Sequence, residues 1–132
     1  MSDDSAGEQQ VTVFDYVGGL EFFERLVDEF YDRVEADKAL LALYPDPNDL
    51  GPARRRFCLF LSQYWGGPQT YNDERGHPRL RMRHQPFVID QAGRDRWVAA
   101  MTGALDVLAP EPMIRERFDV YFAMSADAMV NT

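Results

Sequence analysis

The feature that most constrains the fold of this chain is the spacing of its apolar residues, which recur every three or four positions over most of its length. The pattern is clearest in the first helical stretch, where the apolar side chains are Leu20, Phe23, Leu26, Val27, Phe30, Tyr31 and Val34. Residues at these intervals share one face of an α-helix. No stretch alternates convincingly between apolar and polar residues as a half-buried strand does, so the sequence predicts an all-α fold.

Capping and turn residues divide the rest of the chain into further helices. Asp49 and Asp90 are expected N-caps, because a short acidic side chain accepts hydrogen bonds from the first free N–H groups of a helix. Pro112 suits the first turn of the last helix, where the N–H that proline lacks would have no partner. Residues 69–76 read as a loop, and a short helix is expected over residues 78–86. The sequence therefore predicts four main helices with short segments between them.

Length and composition limit the class of protein. A chain of 132 residues with 45 % hydrophobic residues is large enough for a single core. We expect one domain over residues 12–132, after a disordered polar tail at residues 1–11. The net charge of −8 and the pI near 4.6 argue against nucleic acid as a partner, since phosphate binding needs a basic face. Cys58 is the single cysteine and is expected to be an inert, packed thiol.

No targeting or membrane signal is visible in the sequence. There is no apolar run of about 18 residues or more, and the first ten residues lack the basic and apolar regions of a signal peptide. The expectation is a cytoplasmic protein without a membrane span.

One segment gathers positive charge in this acidic chain. Residues 75–87, RGHPRLRMRHQPF, hold both histidines and four arginines but no acid. No Asp, Glu, Cys or second His stands at metal-ligand spacing from His84, which disfavours a zinc or di-iron site. Haem iron needs only one axial imidazole, because the porphyrin supplies four nitrogens. His84 is therefore a candidate haem ligand, with a structural or surface histidine as the alternative.

The arginines around His84 allow two interpretations. Arginine forks match carboxylates well, so Arg79, Arg81 and Arg83 are candidates for the two haem propionates, although all three cannot face one way. A solvated basic face is the alternative. His77 is expected to hold the loop or cap the helix, and the run at residues 54–56, RRR, is expected to be a solvated helix face.

Three amphipathic side chains could line the opposite wall of a haem pocket. Tyr31, Tyr44 and Trp97 each carry one donor, and a hydrogen bond to partly negative bound O₂ contributes about 1.5–3 kcal/mol. Core or boundary packing is the alternative for each of them. Periodicity does not choose between these interpretations.

Several long motifs in order resemble the group II truncated haemoglobins, the type represented by mycobacterial haemoglobin O. They are FYDRV (30–34), LYPD (43–46), FLSQYWGGPQTY (60–71), RGHPRLRMRHQPF (75–87) and RDRW (94–97). The resemblance covers nearly the whole chain after the tail. It implies a shortened globin fold, in which two helix pairs enclose haem in a two-on-two sandwich.

The resemblance also implies roles for individual residues. His84 falls on the proximal iron ligand, and Tyr31, Tyr44 and Trp97 fall on the polar distal trio of the group. Ala53 takes the distal position where vertebrate globins carry histidine. The haem pocket is expected to include Ala53, Phe57, Phe60, Leu61, Leu80, Arg83, Phe87 and Met101.

One position departs from the family pattern. Phe57 stands where related proteins often have a smaller or polar residue. It could narrow ligand access or push the tyrosines aside.

The implied cofactor is haem b, held noncovalently because the chain has no Cys-x-x-Cys-His motif. The implied function is binding of O₂, and of NO or CO, for transport, storage or sensing. A redox enzyme, acting as an NO dioxygenase or on peroxide, is the alternative and would need a separate reductase, because no flavin or nicotinamide motif is present. A haem-free interaction module is a third possibility. Oligomers are compatible with all three.

Overall fold

The computed structural model describes residues 11–75 and 89–131. In these ranges the chain forms the helices α1 (Val13–Val17), α2 (Leu20–Ala36), α3 (Lys38–Leu41), α4 (Gly51–Tyr64), α5 (Thr70–Arg75), α6 (Gln91–Leu108) and α7 (Pro112–Met129). These residues contain no strand. The prediction of an all-α fold is confirmed.

The core is built on the apolar face of α2. Phe23, Leu26, Phe30 and Val34 are fully buried, whereas Leu20, at the first position of the helix, remains 43 % exposed. Each buried side chain of this size contributes roughly 1.5–3 kcal/mol, so this face is the main reason that the helix forms here. α2 lies against both α4 and α6, and α6 packs on α7. The pairs α2–α4 and α6–α7 therefore stack as two helices on two.

The beginnings of the helices match the predicted caps only in part. The Asp90 side chain accepts from the N–H of Gly93 at 2.9 Å, and α7 begins at Pro112, so both predictions are confirmed. α4 has Leu50 as its N-cap without a side-chain bond. The Asp49 carboxylate instead accepts from the N–H of Gly51 at 3.1 Å. Asp49 therefore stands one residue before the N-cap position.

The predicted loop over residues 69–76 is wrong, because α5 occupies most of it. The helix forms at these residues because of tertiary contacts with α4. Gln63 on α4 donates to the Asn72 side chain at 3.1 Å and accepts from the Asn72 backbone N–H at 3.0 Å. The Tyr71 ring lies 5.5 Å from that of Phe60. A six-residue helix with little periodicity of its own is thus held against α4.

Two glycines let α1 approach the end of α4 closely. The N–H of Phe14 donates to the carbonyl of Trp65 at 2.9 Å. Gly66 has φ +104°, and a Cβ there would lie 2.5 Å from Thr12. A Cβ on Gly67 would lie 2.6 Å from the Phe14 ring. Glycine supplies both the left-handed backbone and the missing volume.

The segment that leads into α6 is held in place by Asn131, which follows α7. The N–H of Ile89 donates to the Asn131 side chain at 2.7 Å, and the Asn131 N–H returns a bond to the Ile89 carbonyl at 2.9 Å. None of the helices described is long and apolar enough to cross a membrane.

Candidate functional site

A cavity of about 290 Å³ opens between α2, α4, α6 and α7. On the α4 side it is lined by Ala53, Phe57 and Phe60. The opposite wall consists of four side chains of α7, namely Tyr121, Phe122, Ser125 and Met129. Its walls are thus mainly aromatic and aliphatic, as expected for a site that takes a large apolar ligand.

The three side chains predicted as hydrogen-bond donors meet at one corner of this cavity. Tyr31 on α2, Tyr44 after α3 and Trp97 on α6 all line it. The rings of Tyr31 and Tyr44 lie 5.6 Å apart, edge to face. These side chains come from three separate elements, so only the packing of the helices brings them together.

Hydrogen bonding links the three side chains through Tyr44, whose hydroxyl interacts with both Tyr31 and Trp97. The indole N–H of Trp97 can only donate, so the Tyr44 oxygen accepts from it. The Tyr44 O–H is then free to donate, either towards Tyr31 or towards a ligand in the cavity. The corner is therefore a connected polar group inside a cavity whose walls are mainly apolar.

Burial keeps both tyrosines neutral. It raises the pKa of Tyr31 to about 12, against the smaller opposing effects of the hydrogen bond from Tyr44 and of the charges on Arg56 and Arg54. Burial also raises the pKa of Tyr44 well above its ordinary value, and the adjacent Tyr31 adds to this. Both hydroxyls are accordingly available as donors over the whole physiological pH range.

Phe57 packs among the donors without separating them. Its ring lies 6.2 Å from Tyr31 and 6.3 Å from Trp97, and 5.6 Å from Phe30 behind them. Tyr31 and Tyr44 remain in contact beside it. In this structure Phe57 fills the space next to the donors and does not push the tyrosines aside.

Other predicted pocket residues lie elsewhere or outside the described residues. Leu61 and Met101 are buried in the hydrophobic core, at 0 % and 1 % exposure, and do not line this cavity. The residues predicted in the segment 76–88 all lie outside the described residues, namely His77, Arg79, Leu80, Arg81, Arg83, His84 and Phe87. Their roles stay predictions. In the residues described, no cluster of His, Cys, Asp or Glu could hold a metal ion.

The arginine run at residues 54–56 is not a uniform solvated face. The Arg54 side chain is only 24 % exposed and pairs with Asp28 and Asp32 of α2, both at 3.1 Å. Arg55 points outwards and pairs with Glu74 at 2.6 Å. The prediction of a solvated face therefore holds for the middle residue alone, because successive helical positions point in different directions.

Arg56 is a site residue that the sequence reasoning missed. It is half-buried at the lining of the cavity and forms no ion pair with any residue that the structure describes. A signal was available, since Arg56 follows Ala53 by three positions and precedes Phe60 by four, which places all three on one helix face. The four cavity residues of α7 were also missed.

The residues present suit a flat apolar group with an anionic edge. The aromatic walls match its faces, the guanidinium of Arg56 can meet a carboxylate, and the polar corner can donate to a small ligand bound at its centre. Haem has this combination of features.

Comparison with known proteins agrees with this interpretation. The sequence profile of the bacterial-like globins matches residues 12–131. The group 2 truncated haemoglobin YjbI of Bacillus subtilis (strain 168) is 41 % identical over 113 residues, which cover 86 % of this chain and 84 % of the relative.

Comparison with solved structures also finds haemoglobins. The thermostable haemoglobin of Thermobifida fusca matches with a TM-score of 0.89 and 49 % identity, over 92 % of this chain and 98 % of that one. The truncated oxygen-avid haemoglobin of Bacillus subtilis matches with a TM-score of 0.84 and 38 % identity, over 92 % of this chain and 100 % of that one. The chain therefore belongs to the bacterial-like globin family, among the group II truncated haemoglobins, and is a globin of the haem-binding type.

Proposed function

We propose that this globin holds haem b through His84 and binds O₂ reversibly at the iron, with NO and CO as further ligands. The observation that supports this most directly is the convergence of Tyr31, Tyr44 and Trp97 at one corner of a mainly apolar cavity. Three linked side chains carry three protons but make only two bonds with one another, so one proton stays unpaired in an apolar wall unless a polar ligand accepts it.

The bound haem would supply the iron at which O₂ coordinates. Around it, the chain's own side chains orient and retain the ligand. Tyr31 and Tyr44 stay protonated because burial raises the pKa of both, so they donate and do not repel a ligand with partial negative charge. The aromatic walls exclude water, which strengthens each of these hydrogen bonds.

Arg56 is proposed to meet a haem propionate from the α4 side. It lines the cavity and has no carboxylate partner in the described residues, whereas its neighbours Arg54 and Arg55 are both paired. Arg79, Arg81 and Arg83 remain candidates for the other propionate. Replacing Arg56 with Gln should speed haem transfer to excess apomyoglobin, and Arg55→Gln should leave the transfer rate unchanged.

The proposed physiological role is binding, transport or sensing of O₂ in the cytoplasm. A related truncated haemoglobin from Bacillus subtilis is oxygen-avid, and the polar corner gives a physical reason for avidity here. The alternative is a redox enzyme served by a separate reductase. Aromatic contacts that lead from the cavity to the surface favour this alternative.

Haem reconstitution tests the proposal. The chain expressed with haem supply should show a Soret band and form a ferrous CO complex. His84→Ala should greatly weaken haem retention, while the control His77→Ala should retain it. A wild-type chain that folds by circular dichroism but takes up no haem would overturn the proposal. Equal losses in both histidine variants would refute the assignment of His84.

A further inference from the structure

An ion pair on the outside of the protein joins the two elements that carry Tyr44 and Trp97. One nitrogen of the Arg96 guanidinium lies 3.0 Å and 3.1 Å from the two carboxylate oxygens of Asp37. Arg96 directly precedes Trp97 on α6. Asp37 directly precedes α3, and the chain after α3 leads to Tyr44. The ion pair therefore links the same two elements as the hydrogen bond between Tyr44 and Trp97 inside the cavity.

Asp37 also fixes the backbone that carries Tyr44. Its side chain caps α3 by accepting from the N–H of Leu40 at 3.2 Å. At the other end of α3, the N–H of Tyr44 donates to the carbonyl of Leu41 at 3.1 Å. Desolvation alone would raise the pKa of Asp37, but the hydrogen bonds from Leu40 and Arg96 outweigh it and lower the pKa. The carboxylate is therefore charged at neutral pH, and a displacement of it is passed to Tyr44 through one short, hydrogen-bonded segment.

The helix between these two residues is too short to hold its own position. A helix of four residues is marginal by itself, so the place of α3 is set by what it contacts. Leu40 of α3 is buried. Leu43, beyond its end, approaches Gly93 of α6 so closely that a Cβ there would lie 3.3 Å from the Leu43 side chain. The position of α3 thus depends on α6, and Tyr44 moves with it.

We propose that Asp37 and Arg96 are positioning residues for bound O₂, because their ion pair holds Tyr44 against Trp97 and makes ligand release sensitive to ionic strength. This inference rests on the proposed O₂-binding site and adds a form of regulation to it. Neither residue lines the cavity, so both act through the corner. When the pair loosens, the Tyr44 O–H is aimed less well at the ligand, and O₂ leaves faster.

The exposure of the ion pair limits the size of the effect. Half of the Arg96 side chain and 28 % of the Asp37 side chain are exposed, and exposed ion pairs contribute little. Loss of the pair should quicken O₂ dissociation about 2- to 5-fold. Between about 0.01 M and 1 M salt, the screening length falls from about 30 Å to about 3 Å. O₂ carries no net charge, so a rise of about twofold in the wild type over this range reports on the protein.

Two substitutions remove the charge on either side of the pair. Asp37→Asn keeps the cap on α3, since asparagine caps a helix as well as aspartate does. Arg96→Met keeps the aliphatic stem. Each should quicken O₂ dissociation and abolish its response to salt, and the double variant should be no faster than either single variant. Arg96→Lys should stay close to the wild type, because a single nitrogen of Arg96 serves both carboxylate oxygens.

The chain offers a matched control on the same helix. Arg94, two positions before Arg96, pairs with Asp127 of α7 at 2.7 Å. This ion pair joins α6 to α7 and not to the segment that carries Tyr44. Asp127→Asn should therefore leave both the O₂ dissociation rate and its salt response unchanged. An equal effect of Asp127→Asn and Asp37→Asn would show that the net charge is responsible, and would overturn the proposal.

A second readout follows the corner itself and does not depend on O₂. The chain has two tryptophans, so the CO complex should give two indole N–H signals in ¹H–¹⁵N correlation spectra. Asp37→Asn and Arg96→Met should move the Trp97 signal upfield, as a weaker hydrogen bond requires. The signal of Trp65, whose Nε1–H has no partner among the described residues, should stay in place and serves as the internal reference.

Two failures are distinguishable. A wild type without a Soret band or without an O₂ complex overturns the proposed function, and the positioning role falls with it. A wild type with a normal O₂ complex overturns only the positioning role if Asp37→Asn releases O₂ at the same rate and with the same salt response, or if the Trp97 signal does not move.

Discussion

The hydrogen bond between Trp97 and Tyr44 predicts that these two residues act together on a bound ligand. Both line the cavity, and the Tyr44 oxygen accepts from the indole. Tyr44→Phe removes a donor to the ligand and Trp97→Phe removes the bond that orients this donor, so each substitution should cost about 1.5–3 kcal/mol of ligand stabilisation. At 1.4 kcal/mol per decade, O₂ dissociation should then quicken about 10- to 150-fold in each single variant.

The double variant tests whether the two residues act together on the ligand. A hydrogen bond between neutral groups is worth about 1 kcal/mol, so the effects of the two substitutions should not add. O₂ dissociation from Trp97→Phe/Tyr44→Phe should fall about fivefold short of the product of the single effects. Stopped-flow displacement of O₂ by CO measures all three rates.

A packing control separates polarity from volume. Trp97→Phe keeps a ring beside Phe30 and Phe122, which lie 5.3 Å and 5.9 Å away. Met101→Leu conserves volume in the nearby core and should leave dissociation unchanged. If the double variant equals the product of the singles, the bond does not persist with ligand bound, and the reasoning from this structure is refuted.

Three further predictions concern stability. Gly66→Ala should lower stability by about 1–3 kcal/mol more than Gly18→Ala in thermal melts, since both glycines have φ above +100° but only a Cβ on Gly66 meets a neighbour; equal losses would contradict this. Arg54→Met, which breaks an ion-pair network, should cost about 1 kcal/mol, less at high salt, and exceed the loss for the exposed Arg55→Met. Because the pKa of Tyr31 is raised from 10.0 to about 12, its contribution to stability is complete below pH 10 and is lost as the pH rises from 10 towards 12. Alkaline unfolding of Tyr31→Phe should therefore be shallower over that interval, and an unchanged slope would contradict the shift.

Periodic segments were the part of the fold that sequence could predict. The face of α2 and the cap at Asp90 follow from local rules, namely the 3.6-residue period and the hydrogen bonds of a short acidic side chain. α5 has no such local signal, because Gln63 and Phe60 of the preceding helix hold it in place. The sequence therefore favoured a loop at residues 69–76, where tertiary contacts produce a helix.

In the candidate site, too, the sequence indicated the types of residue and the tertiary structure determined their contacts. The types of residue at Tyr31, Tyr44 and Trp97 indicated hydrogen-bond donors, and their motifs indicated the family. Their hydrogen bonding and the raised pKa of each tyrosine arise from burial and proximity, which no local pattern encodes. Arg56 is a further example, because its positive charge alone suggested that its side chain would face solvent.

By itself, the sequence determined an all-α chain, the family to which it belongs and the chemistry that its site residues can perform. Only the tertiary structure decided which of those residues meet. It made Tyr44 the link between two other donors, placed Arg56 at the cavity without a described carboxylate, and set Tyr121 between the cavity and exposed Tyr64. The physical reason is that side-chain spacing along a helix is local, whereas contacts between helices depend on how their buried faces pack together.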